Sequence, residues 1–169
     1  MKLQHHVLFG GLAASALVPA LGVNSAVFWA SSVLIDGDHY LDYVYRNGFR
    51  DYSVKRMFAF HKFLYERGKE PDFLALNLMH TAEFITLAGV AAAITGWTWI
   101  MAVLGGIVFH MLLDLFYLYR RGRFFRRALS IIEYIVRVKL MKRRGLRPEL
   151  PYQLALQSLF ERPKRLKTK

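Results

Sequence analysis

The chain has 169 residues, 54% hydrophobic and 21% charged, with a formal net charge of +12 and a pI near 10.2. That length holds one compact domain and hardly two, and the charge calls for an anionic partner: a membrane surface, a nucleic acid or a phosphorylated substrate. With no cysteine, disulfides, thiolate metal ligands and iron–sulfur chemistry are excluded.

Residues 7–35 lack charged side chains. As one helix they would run about 43 Å, well beyond a ~30 Å hydrocarbon core. Pro19 and Gly22-Val23-Asn24-Ser25 interrupt them, which predicts two short helices, 6–20 and 25–36, forming a hairpin. Lys2, the apolar run and Val18-Pro19-Ala20 also outline a secretory signal peptide. Against that, His5 and His6 are foreign to such a leader, and export would carry most of the positive charge outwards.

The run ends abruptly in Asp36-Gly37-Asp38-His39. Two carboxylates and an imidazole at the edge of an apolar segment are costly unless a cation sits among them. Gly37 is expected to let the backbone turn, so that Asp36 and Asp38 need not point to opposite sides. The plainer alternatives are helix capping and an ion pair with Arg46.

Residues 43–80 are polar and aromatic, and Val54, Met57, Phe58, Phe60, Phe63 and Leu64 fall near helical spacing against Lys55, Arg56 and Lys62. That predicts an amphipathic helix ended by Gly68-Lys69-Glu70-Pro71-Asp72. Residues 81–118 form a second apolar block, again too long for one span, and Thr95-Gly96-Trp97-Thr98 divides it into helices near 73–94 and 98–119. From Arg120 on, apolar clusters alternate with Lys and Arg over 124–143, which reads as an interfacial helix on anionic lipid. A short helix after Pro151 and a solvated basic tail follow.

The fold expected is therefore all-α and membrane-embedded: two short hairpins of about four helices over residues 1–119, and a basic amphipathic segment, 120–169, on the membrane surface. The positive-inside rule puts Lys2, the 43–80 loop and the C-terminal region in the cytoplasm of a multi-pass inner-membrane protein. His6, the Asp36–His39 cluster, His80, and His110 with Asp114 then all fall towards that side. His110 and Asp114 are four apart and share a helix face, with Gly106 one turn earlier inviting a neighbouring helix. His80 and Glu83, three apart, are expected to be co-facial too. His6, Asp36, Asp38, His39, His80, His110 and Asp114 are the candidate ligands. Glu83 or Asp38 is the candidate general base, Asp42 and His61 are structural, and His5 is an exposed neighbour of His6.

These nitrogen and oxygen donors suit Zn, then Mn or Fe, and their number suits two ions. Such a centre fits hydrolysis of a phosphoester held by flanking Lys and Arg. A structural or sensory metal site is the alternative. A scaffold for nucleic acid is a weaker one, since the sequence carries no nucleic-acid motif.

The order His6, Asp36-Gly37-Asp38-His39, His80-Thr81, His110-Met111-Leu112-Leu113-Asp114 resembles the YdjM-like inner-membrane proteins, described as membrane-bound metal-dependent hydrolases. The resemblance spans residues 6–114 and implies a hydrolase whose ligand order is loosely similar to that of helical zinc phospholipase C and P1-type nucleases. Many of those relatives carry His-Arg-Gly just before the His-Ser/Thr pair, where this chain has Ala75-Leu76-Asn77-Leu78-Met79. A ligand or phosphate-contacting arginine is therefore expected to be missing, or replaced by His61 or Glu83.

Overall fold

The computed structural model describes residues 3–160. Lys2 and the basic tail from 161 lie outside the described residues. The chain forms α1 (Leu3–Leu21), α2 (Asn24–Leu34), α3 (Gly37–Arg46), α4 (Val54–Arg67), β1 (Ala75–Leu76), α5 (Ala82–Thr95), α6 (Thr98–Arg120), β2 (Arg127–Ala128), α7 (Ile131–Arg143) and α8 (Leu150–Phe160). It is a helical protein with one departure: β1 and β2 pair in parallel, Ala75 opposite Arg127 and Leu76 opposite Ala128.

The first hairpin forms as expected, although Pro19 lies inside α1 and the turn comes at Gly22, whose φ of +54° suits glycine. Helix α2 packs against both α1 and α6, with α5 alongside α6. The approach is close because glycines line it. A Cβ on Gly106 would lie 2.1 Å from Ser31 Oγ and 2.2 Å from the Phe28 carbonyl oxygen, and one on Gly10 would lie 2.5 Å from Ser32 Oγ. Gly106 thus does what its spacing predicts, and Gly10 does the same on the other side of α2. A separate core, built from Tyr43, Phe60, Leu64, Tyr152 and Ala155, joins α3, α4 and α8.

Three boundaries differ from expectation. Helix α5 begins at Ala82 rather than near 73, because 75–76 are drawn into the ladder, Leu78–His80 form a 3-10 turn, and the Thr81 hydroxyl accepts from the Phe84 amide as an N-cap. Residues 124–130 are not part of a long interfacial helix. Ser130 caps α7, accepting from the amides of Ile132 and Glu133, so the helix starts at 131. Gly37 supplies no special turn either: Ile35 and Asp36 are right-handed helical, with φ of −57° and −65°, and α3 follows α2 after a two-residue bend.

Among the described residues, α6 is the one helix long and apolar enough to cross a membrane. Its 23 residues rise about 34 Å. Trp97 and Trp99 are exposed at one end, Tyr119 and Arg120 at the other, and Leu112 and Phe116 are exposed between them. Helix α5 is apolar but only 14 residues long, with Leu87, Val90 and Ile94 exposed.

The close approach sets a test. Gly106→Ala should destabilise the protein by about 1–3 kcal/mol, since the added methyl meets the Phe28 backbone as well as Ser31 Oγ, and the backbone cannot swing aside. Gly89→Ala, with nothing within 4 Å of the new Cβ, should be neutral or stabilising by about 0.5–1 kcal/mol. Chemical denaturation in detergent reads both.

Candidate metal centre

Four separate pieces of chain meet at one place. Helix α6 offers His110 and Asp114 from one face, the α2–α3 bend offers Asp36 and Asp38, the 3-10 turn offers His80, and α1 contributes His6. His6, His80 and His110 are each 1% exposed or less.

The protonation of two of these rings follows from their partners. His110 Nδ1 lies 2.7 Å from the Ser32 carbonyl oxygen, which only accepts, so Nδ1 carries the proton. His80 Nδ1 lies 2.9 Å from Asp38 Oδ2, and it too donates. With Nδ1 so engaged in both rings, the two Nε2 atoms face one another at 3.1 Å. Asp36 Oδ1 completes a triangle, 3.6 Å from His80 Nε2 and 3.5 Å from His110 Nε2. With no proton among them, three such atoms repel one another, and a cation at the centre relieves all three edges at once. From these three edges, a point equidistant from the atoms lies about 2.0 Å from each, the length of a zinc–nitrogen or zinc–oxygen bond.

Beside this triangle, the His6 ring stacks on that of His110 with centroids 3.8 Å apart, and His6 Nε2 lies 3.2 Å from Asp114 Oδ1. Among the described residues, His6 Nδ1 has no hydrogen-bond partner. Asp114 Oδ2 accepts from Arg127 Nη1 at 2.8 Å, and Arg127 is itself buried. His6, Asp36 and His110 form one group with metal-holding spacing, and His80, His110 and Asp114 form another. His110 belongs to both but has one nitrogen to give.

Asp38 sits behind His80 as an orienting carboxylate. Its Oδ2 accepts from the His80 ring and from the Met79 amide, at 3.2 Å, while Oδ1 lies 3.3 Å from His39 Nδ1. Burial raises the Asp38 pKa, but the hydrogen bond and charge of His80, with His39 and the Met79 amide, bring it below the ordinary carboxylate range. A carboxylate behind a ligating histidine fixes the ring and raises its basicity. His39 lies at the open side: its side chain is 34% exposed and that of Asp36 18%, and its Nε2 is 3.6 Å from Asp36 Oδ1. The Asn77 side chain bonds His39 Nδ1 at 2.6 Å, and His61 Nε2 donates to the His39 carbonyl oxygen at 2.8 Å. Burial and the neighbouring His61 push the His39 imidazole down to about 3, so it is neutral.

The structure thus brings His6, Asp36, His80, His110 and Asp114 together, with Asp38 and His39 adjoining. It does not bring Glu83 to them. The expectation that Glu83 shares a helix face with His80 is overturned, because the Thr81 cap separates the two. Glu83 Oε1 instead accepts from Ser130 Oγ at 2.6 Å and from the Ile131 amide at 3.0 Å, tying α5 to the start of α7. Asp42 pairs with Arg46 at 2.7 Å, which leaves that arginine away from Asp36 and Asp38. His5 is half-buried rather than exposed.

Three contributors go unpredicted. The Ser32 carbonyl cannot be read from residue type at all. Asn77 falls in the segment where His-Arg-Gly was expected. Arg127 is hidden in a basic run, although Ser130-Ile131-Ile132-Glu133, a capping-box pattern, marks 127–129 as lying outside the helix. The boundary expected at 119/120 runs between Asp114 and the arginine that holds it.

No protein-family model, curated protein or solved structure matches this chain.

Asp38→Asn should weaken zinc binding about 10–100-fold, measured by competition with a chromophoric chelator. Asp42→Asn, whose carboxylate serves Arg46, should leave it unchanged. For the wild type, affinity should fall as the pH is lowered, because imidazoles ligate only when deprotonated. Equal affinities in both variants would show that Asp38 does not support a ligand.

Proposed function

We propose that this chain is a membrane-embedded, metal-dependent hydrolase acting on a phosphoester such as a lipid headgroup, with its centre towards the cytoplasmic side. One observation carries the metal: the two Nε2 atoms of His80 and His110 at 3.1 Å, with Asp36 Oδ1 beside both. His80, His110 and Asp36 would hold the ion, with His6 and Asp114 next to it, and zinc suits these donors best. A divalent ion in such a place supplies Lewis acidity, acidifying water and stabilising charge on phosphoryl oxygens.

The chain's own residues supply the rest. Asp38 and the Ser32 carbonyl hold the two imidazoles in one tautomer, so no reorientation is needed at the moment of reaction. Arg127 holds Asp114, and its positive charge offsets part of three carboxylates gathered in an apolar surrounding. His39 and Asp36 form the side on which a substrate would enter. Both membrane hairpins, the cytoplasmic orientation and membership among the YdjM-like proteins belong to this reading. Its supports are the apolar α6, the exposed apolar residues of α1 and α5, the tryptophans at the start of α6, and the basic residues at its end.

A structural centre is the second reading, favoured by the near-complete burial of His6, His80 and His110. The two separate cleanly. Supplied with zinc or manganese, a hydrolase should cleave a chromogenic phosphoester, lose that activity on chelation or in His110→Ala, and keep most of its thermal stability. A structural centre should show no turnover, and its melting temperature should drop sharply on chelation. Inactivity against mono- and diesters with metal bound would overturn the hydrolase.

A further inference from the structure

Helix α7 has no buried residue. Its protein-facing side, which includes Glu133, Tyr134 and Arg137, is half-buried, and Glu133 and Arg137 bond each other at 2.8 Å. The opposite side carries Ile132, Ile135, Val136 and Leu140, between 44% and 69% exposed. Positions 132, 135, 136, 139, 140 and 143 share one helix face, so Lys139 and Arg143 stand on that same exposed stripe. The stripe contains no acid. A water-facing helix normally presents mixed charges, and a helix waiting for an ordinary protein partner presents an apolar centre inside a polar rim. Exposed branched aliphatics with only basic neighbours match a layer that is apolar below and anionic above.

Position supports the same occupant. The first turn of α7 is fixed to the first turn of the apolar helix α5 by Glu83, which accepts from Ser130 Oγ and the Ile131 amide, and by the Ala82 amide donating to the Leu129 carbonyl at 2.8 Å. The helix therefore starts at the end of α5 where that helix begins. The cluster around His80 lies at this end as well.

We propose that the exposed face of α7 docks on an anionic bilayer surface, with Ile132, Ile135, Val136 and Leu140 in the upper acyl region and Lys139 and Arg143 among headgroup phosphates. Lys142 is spoken for in part by Glu149, 3.6 Å away. The inference rests on the membrane reading above and is independent of the metal.

Because the chain has no cysteine, a single one can be placed at will. Ile135→Cys, labelled with an environment-sensitive fluorophore in the full chain, is placed in nanodiscs of phosphatidylcholine with or without phosphatidylglycerol. Gln153→Cys on an exposed position of α8 is the control. The label at 135 should shift to the blue and be quenched by lipid-borne quencher in the anionic discs, and the shift should weaken in high salt. Adding Lys139→Gln and Arg143→Gln should lower the docked-to-undocked ratio roughly fivefold per charge removed. The label at 153 should respond to none of this. A label at 135 that stays wet in anionic discs, or is covered only through contact with a second labelled copy, would overturn the proposal. A chain that does not enter discs at all would overturn the membrane reading itself, so the two failures are distinguishable.

Discussion

Two imidazoles whose Nδ1–H groups are held by fixed acceptors must turn their Nε2 atoms outward, and here they turn them on each other. That constraint organises this protein. The acceptors are strong and immovable: a carboxylate on α3 for His80, and a backbone carbonyl of α2 for His110. With Asp36 Oδ1 added, three atoms of the kind that ligate metals converge within 3.6 Å of one another. A protein spends stability to maintain such a place, because buried acceptors without donors cost about 1–3 kcal/mol each. A cation at the centre reverses the sign of every one of those interactions.

The helix packing serves this convergence. Ser32 can reach His110 because α2 and α6 approach closely at Gly106, while Gly10 brings α1 against the other side of α2. On the other side, the short β1–β2 ladder brings 75–80 and 127–128 to the same spot and delivers both His80 and Arg127. The C-terminal half is therefore part of the centre. The same joint, continued through Ala82, Glu83 and Ser130, fixes the start of α7.

Sequence reasoning reached the helical class, both hairpin turns, the glycine at 106 and the residues that converge, because each rests on a local signal. Charge at the end of an apolar run, His and Asp four apart, and Gly96 in a left-handed turn are all readable one segment at a time. It failed where a partner distant in sequence decides. Residues 73–81 look able to continue a helix, but the pairing with 127–128 and the Thr81 hydroxyl claim them. Glu83 looks like a ligand three residues from His80, yet a cap between them sends it to Ser130. Asp38 looks equivalent to Asp36, and only the fold shows that it stands behind His80 while Asp36 faces the gap. For Arg127, the capping pattern at Ser130–Glu133 places it outside the helix, but nothing local points it at Asp114.

If His80, His110 and Asp36 enclose one cation, X-ray absorption at the zinc edge of the zinc-loaded protein in detergent should see it. The spectrum should show a tightly held ion with nitrogen and oxygen neighbours at about 2.0–2.1 Å, multiple-scattering features of at least two imidazoles and no sulfur. A spectrum of solvated zinc, or an imidazole contribution that survives in His80→Ala/His110→Ala, would contradict it.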